Sequence, residues 1–144
     1  MYQKSILENG HTVISNRMTG TRSVSVCVFV GAGSRYEENA QAGISHFLEH
    51  MVFKGTNRRP SSAEISGSVE EVGGIMNGGT DRELTIYWCK VAQKHFPKAL
   101  DVLMDMVCDP LLIFEQVEKE RSVVQEELSM ANDSPSSRAD ILLD

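Results

Sequence analysis

His46-Phe47-Leu48-Glu49-His50 places two imidazoles four residues apart, with a carboxylic acid beside the second. At about 100° per helical residue, with Ile44 set at zero, Phe47, Leu48, Met51 and Val52 fall within roughly 80° of that direction. His46, Glu49 and His50 fall between about 140° and 240° on the same wheel. A helix over Ala42 to Phe53 therefore has one apolar face to pack and an opposite face carrying three polar side chains.

That polar face has the residue types of a metal site. Histidines at i and i+4 let two rings converge on one zinc ion, which favours imidazole nitrogen and carboxylate oxygen. The order His-x-x-Glu-His is the reversed form of the zinc-peptidase helix, in which the glutamate stays off the metal and serves as a base. A catalytic zinc keeps one position for water and needs a nearby carboxylate to accept its proton. The bland alternative is an amphipathic helix whose solvent face carries two histidines and a glutamate.

The 144 residues suit a single core, and 41% hydrophobic with 24% charged residues is the balance of an ordinary globular domain. A formal charge of −6 argues against a nucleic-acid surface. The basic group Lys54, Arg58 and Arg59 reads as a solvated loop. Cys27, Cys89 and Cys108 are odd in number and contain no CxxC, which predicts reduced thiols in a cytosol-like compartment. Cys27 and Cys89 lie in apolar runs and read as packing residues. No stretch has the ~18 apolar residues of a membrane span, and no charged start followed by an apolar core marks a signal peptide.

Outward from the helix, the chain alternates strand and helix patterns. Lys4 to Leu7 and Thr12 to Ser15 flank Glu8-Asn9-Gly10, a hairpin signal. Arg22 to Val30 alternates Val24, Val26, Val28 and Val30 against Ser23, Ser25, Cys27 and Phe29, a strand with one apolar face. Pro60-Ser61-Ser62 with Glu64 caps a helix running to about Val72, broken by Gly73-Gly74. The Gly-rich segment Ile75 to Thr80 leads into the strand Leu84 to Cys89. It reads as a turn or open sheet edge, because it is not set between strand and helix as a phosphate loop is. Gln93 to Cys108 carries Phe96, Leu100, Leu103 and Val107 at helical spacing, with Met104 and Met106 as gap-fillers, and Asp109-Pro110 ends it. Phe114 to about Met130 is a second long helix, and a further one begins at Ser136 and runs into Ile141-Leu142-Leu143.

A two-histidine site needs a third donor, and neither His11 nor His95 is suitably paired. In the helix from Phe114, Glu120 and Glu127 project within about 20° of each other, whereas Glu126 points about 100° away from Glu127. All of these acids could equally be surface charge, paired with Lys119 or Arg121.

The sequence resembles the pitrilysin-type (M16) zinc peptidases, the family of the mitochondrial processing peptidases, bacterial processing proteases and insulin-degrading enzyme. The resemblance covers nearly the whole chain. It rests on Val30-Gly31-Ala32-Gly33-Ser34-Arg35-Tyr36-Glu37, on Gly43 through Thr56 around the His46–His50 motif, and on Glu120-Arg121-Ser122-Val123-Val124-Gln125-Glu126-Glu127-Leu128. In that family the third zinc ligand is a glutamate roughly 75 residues beyond the second histidine, which selects Glu127. The supporting acid seven residues earlier falls on Glu120, which would orient a ligand. Asn77-Gly78-Gly79-Thr80 resembles the stretch beside which peptide substrate adds as an extra strand, implying substrate contacts at Asn77 and Thr80. Where family members usually have alanine after Asn77, this chain has Gly78.

The resemblance implies an α+β fold, a mixed and mostly antiparallel sheet with helices packed on one side, as one half of a clam-like two-half peptidase. Residues 1–144 are then the zinc-binding N-terminal domain, cut short at its C-terminal end. The implied activity is metalloendopeptidase hydrolysis, with zinc held by His46, His50 and Glu127, Glu49 activating water and Glu120 assisting. Implied partners are a peptide or unfolded polypeptide and the remaining half or a homologous subunit, with no nucleic acid and no membrane span. The cysteine pattern points to a reducing compartment, the cytoplasm or alternatively the mitochondrial matrix. The rival reading is a non-catalytic subunit or peptide-binding domain of the same fold.

Overall fold

A computed structural model describes residues 2–136, 138 and 139. Strands β1 (Tyr2–Ile6) and β2 (Thr12–Asn16) pair antiparallel from Tyr2↔Asn16 to Ile6↔Thr12. Gly10, at φ 85°, turns the chain as the Asn-Gly pair predicts. This hairpin is exposed along both strands.

The main sheet has the order β3 (Ser23–Val30), β5 (Thr85–Ala92), β4 (Ile75–Thr80), with both pairings antiparallel. The Gly-rich segment is thus an edge strand rather than a turn. In central β5 the pleat sends Thr85, Tyr87, Cys89 and Val91 inward, where all four are buried. Helices α1 (Ile44–Val52), α2 (Ser62–Glu70) and α3 (Phe96–Cys108) cover that face. Their residues Val52, Ile65, Val69, Ala99, Val102, Leu103 and Met106 form one cluster with Tyr87, Cys89 and Val91. The α+β arrangement, with helices on one side of an antiparallel sheet, is the expected one. Helix α4 (Phe114–Asp133) lies against α1. No helix among the described residues is long and apolar enough to cross a membrane.

The expected cap of α2 is present in full: Ser61 accepts from the Glu64 amide, and the Glu64 carboxylate accepts from the Ser61 amide. Ahead of α1, Gly33 permits a close backbone approach, since a Cβ there would lie 2.2 Å from the Asp81 carbonyl oxygen. The β3–α1 loop is thereby seated on the β4–β5 turn, with the Arg35 amide donating to Arg82 O at 2.8 Å.

Several packing expectations need correction. Cys27 is exposed, because Val26 and Val28 take the inward face of β3 and the pleat turns its odd positions outward. In α3 the buried apolar residues are Ala99, Val102, Leu103 and Met106, a stripe rotated by about 80° from Phe96, Leu100, Leu103 and Val107. Phe96, Leu100 and Met104 are consequently exposed. Helix α1 buries Met51 and Val52 in its last turn and leaves Ile44 and Leu48 exposed.

Of the basic group, Arg58 is exposed as expected of a solvated loop, whereas Lys54 and Arg59 are mostly covered and all three are ion-paired. The Arg58 guanidinium makes two bonds to Asp101, at 2.8 and 2.9 Å, and Arg59 pairs with Asp101 and Asp105. Buried Thr56 donates to Asp105 Oδ2 at 2.8 Å and accepts from the Arg58 and Arg59 amides. The segment after α1 is in this way fastened to α3 by a satisfied polar network. The chain continues helically at Pro135–Ser136, while Ile141-Leu142-Leu143 lies outside the described residues.

Candidate metal centre

Helix α1 starts at Gly43, in the left-handed conformation and without a side chain to cap the first turn. Glu37 takes that role from the preceding loop, its carboxylate accepting from the Gly43 amide at 2.6 Å and the Ser45 amide at 2.8 Å. Burial pushes the Glu37 carboxyl up, but its hydrogen bonds from Ser45 and Gly43 outweigh that and hold it below the usual carboxylate range. An anion at the positive end of the helix dipole adds to the anchoring.

Helix α4 brings the distant acids to α1. Glu120 is only 5% exposed, yet both carboxylate oxygens are occupied. His50 Nδ1 donates to Oε1 at 2.8 Å, and Lys54 Nζ reaches Oε2 at 2.6 Å. Burial raises the Glu120 carboxyl, and the Lys54 and His50 bonds and charges overcome it, so the group sits below its ordinary value. A carboxylate only accepts, so His50 Nδ1 carries a proton and donates to Glu120, and Nε2 is the ring nitrogen turned towards His46. A carboxylate is the usual second partner of a metal-ligating imidazole.

That nitrogen faces two further atoms able to ligate a metal. His50 Nε2 lies 3.1 Å from His46 Nε2 and 3.4 Å from Glu127 Oε2, and His46 Nε2 lies 3.6 Å from the same oxygen. Bonds of about 2.0–2.1 Å to a tetrahedral zinc put its ligands about 3.3–3.4 Å apart, so the three atoms fit one face of such a site. Among the described residues this is the one group of three such donors close enough to share an ion. The donor set, two imidazoles and a carboxylate, suits zinc. His46 and Glu127 keep 37% and 41% of their side-chain surface, so the group is open to solvent.

Glu49 shares the polar face of α1 and is held by β4, where Thr80 Oγ1 donates to its Oε2 at 2.7 Å. Burial, then the Glu49 charge, pushes the Tyr87 hydroxyl up to about 12, so it stays a neutral phenol beneath the site. Of the sequence-predicted residues, His46, His50 and Glu127 converge, Glu120 backs His50, and Thr80 meets Glu49. Asn77 lies on the other face of β4, exposed, with Oδ1 accepting from the Gly78 amide. Lys54 and Glu37 were not singled out for the site. Lys54 follows the end of α1, beyond the reach of its helical period, and meets Glu120 only through the packing of α4 on α1. Glu37 is announced only by the lack of a capping side chain at Gly43.

Residues 12–143 match the family model described as Insulinase (Peptidase family M16). The chain is 41% identical over 135 residues to the uncharacterized zinc protease YmxG of Bacillus subtilis, covering 94% of this chain and 33% of that protein. It is 41% identical over 120 residues to the mitochondrial-processing peptidase subunit beta of Saccharomyces cerevisiae, covering 83% of this chain and 26% of that one. The crystal structure of a protease from Helicobacter pylori superposes with a TM-score of 0.90 at 29% identity, covering 96% of this chain and 33% of that chain. The chain spans about a third or less of the length of these relatives.

Proposed function

We propose, from the premise that this chain belongs to the insulinase family, peptidase family M16, that residues 1–144 are the N-terminal zinc-binding domain of a metalloendopeptidase. The observation that carries this is the mutual spacing of His46 Nε2, His50 Nε2 and Glu127 Oε2, at 3.1, 3.4 and 3.6 Å. These residues would hold zinc. When bound, zinc supplies Lewis acidity, polarising a carbonyl and lowering the pKa of a coordinated water towards neutrality.

The remaining steps belong to the protein. Glu49 takes the proton of the attacking water at Oε1, the oxygen that Thr80 leaves free, and returns it to the leaving amine. Glu120 holds His50 in the Nδ1–H tautomer, and Lys54 neutralises Glu120. Strand β4 has β5 on one side and no strand on the other among the described residues. Its open main chain from Asn77 to Thr80 takes an extended peptide as an added strand. The substrate is accordingly a peptide or unfolded polypeptide. The opposite wall of the cleft comes from the remaining half of the peptidase or from a homologous subunit. Three unpaired cysteines favour a reducing compartment, cytoplasm or mitochondrial matrix.

The test is Glu49→Gln in the full-length gene product. Peptide hydrolysis should be lost while one zinc per chain is retained. Normal turnover by this variant would remove Glu49 from its role, and a wild-type protein that binds no zinc would favour the non-catalytic, peptide-binding reading.

A further inference from the structure

We infer that the inward face of β4 is a seat for the Glu49 carboxylate, and that Thr80 is a positioning residue acting through Glu49 rather than a contact to substrate. The inference rests on the reading of Glu49 as the base. Along β4 the half-buried residues are Met76, Gly78 and Thr80, and the exposed ones are Ile75, Asn77 and Gly79. The side chain of Thr80 therefore points beneath α1, away from the face that carries Asn77.

Two positions on that face shape the seat. At 80, the hydroxyl donates its one proton to Glu49 Oε2 at 2.7 Å, since a carboxylate can only accept. At 78, a Cβ would stand 3.2 Å from Glu49 Cγ, 3.3 Å from Oε1 and 3.0 Å from the Phe53 ring. The carboxylate thus lies over bare backbone, and a methyl group there fits only if Glu49 or Phe53 shifts by a few tenths of an ångström. One oxygen is tied to Thr80 and the other lies beside Gly78, so the two are inequivalent before substrate arrives.

Thr80 is itself fixed. It pairs across the strands with Thr85, whose hydroxyl lies 3.5 Å from that of Thr80 and donates to Ala32 O at 2.9 Å. Thr85 is 4% exposed, and β-branched side chains have few χ1 choices. The consequence is a shared reference: the strand whose open edge would align the peptide also aligns the base. Sub-ångström placement of a base matters to the chemical step more than to binding.

The experiment compares Thr80→Val, Thr80→Ser and Glu49→Gln in the full-length gene product, reading kcat and KM on one fluorogenic peptide, zinc per chain and Tm. Thr80→Val removes the hydroxyl at nearly constant volume. It should lower kcat by about 10- to 100-fold with KM within about twofold and with zinc content unchanged. Thr80→Ser should return kcat to within about threefold of wild type, because it restores the donor. An unchanged kcat in Thr80→Val would overturn the inference. So would a raised KM at constant kcat, which would put Thr80 against substrate, and so would equal losses in the Val and Ser variants. Normal turnover by Glu49→Gln is a separate failure, that of the base assignment itself.

Discussion

Replacing Lys54 with methionine keeps the aliphatic stem and removes the ammonium that stands 2.6 Å from Glu120 Oε2. The Glu120 side chain is 6% exposed and that of Lys54 26%, so the pair lies between two measured regimes. Exposed ion pairs contribute at most about 1 kcal/mol. Removing one partner of a fully buried pair costs about 3–5 kcal/mol, because a buried charge is left uncompensated. Water still reaches the ammonium, so we expect a loss of about 2 kcal/mol at neutral pH. The sign of the pH dependence follows from the Glu120 carboxyl, which is held below its ordinary value in the folded protein. Its contribution is complete above the unfolded value, about 4.3, and disappears as pH falls through the folded one. Without Lys54, burial is opposed by His50 alone, and the acid limb of the stability curve should move to higher pH. Because Glu120 orients His50, zinc affinity should also weaken, by about tenfold. Urea unfolding in chelator at a series of pH values, with competition titration for zinc, reads all three effects. A stability change under about 0.5 kcal/mol, well below the expected loss, together with an unmoved acid limb and unchanged zinc affinity, would refute the reasoning.

Glu37→Gln weakens the two charged bonds that start α1 and should cost about 1 kcal/mol by thermal or chemical unfolding. A neutral result would mean the helix start is held elsewhere. Leu103→Ala, at a position with no exposed surface, should destabilise by about 2–5 kcal/mol in the same assay. A loss below about 1 kcal/mol would contradict its place at the centre of the core. A zinc ion held by His46, His50 and Glu127 would bind only the folded arrangement of two helices, so chelation should lower Tm. At free zinc a thousandfold above Kd the stabilisation removed is about 4 kcal/mol, and an unchanged Tm would count against a site built from separate elements.

The site was more legible than the packing around it. His46, Glu49 and His50 share a helix face whatever the helix packs against, since helical spacing alone brings them together. The third donor was a matter of choosing among acids on α4. Periodicity grouped Glu120 with Glu127, and only the resemblance separated their roles. What helical and strand periods could not supply was which elements cover which. The α3 stripe turned by about 80° because its wheel offers two adjacent apolar arcs, and only contact with β5 selects Ala99, Val102, Leu103 and Met106. Cys27 falls outside by the parity of the β3 pleat, readable in principle from Val26 and Val28. The polar ties from Lys54 to Glu120 and from Arg59 to Asp105 join residues far apart in the chain, and no local pattern announces such pairs.

The account stands on one cation held between α1 and α4. Anomalous diffraction from zinc-loaded crystals of the full-length gene product, recorded on both sides of the zinc absorption edge, tests this most directly. We expect a single strong peak at about 2.0–2.2 Å from His46 Nε2, His50 Nε2 and a Glu127 carboxylate oxygen. A peak bound by other residues, or a zinc-free site with the two imidazoles and Glu127 still in contact, would contradict the account.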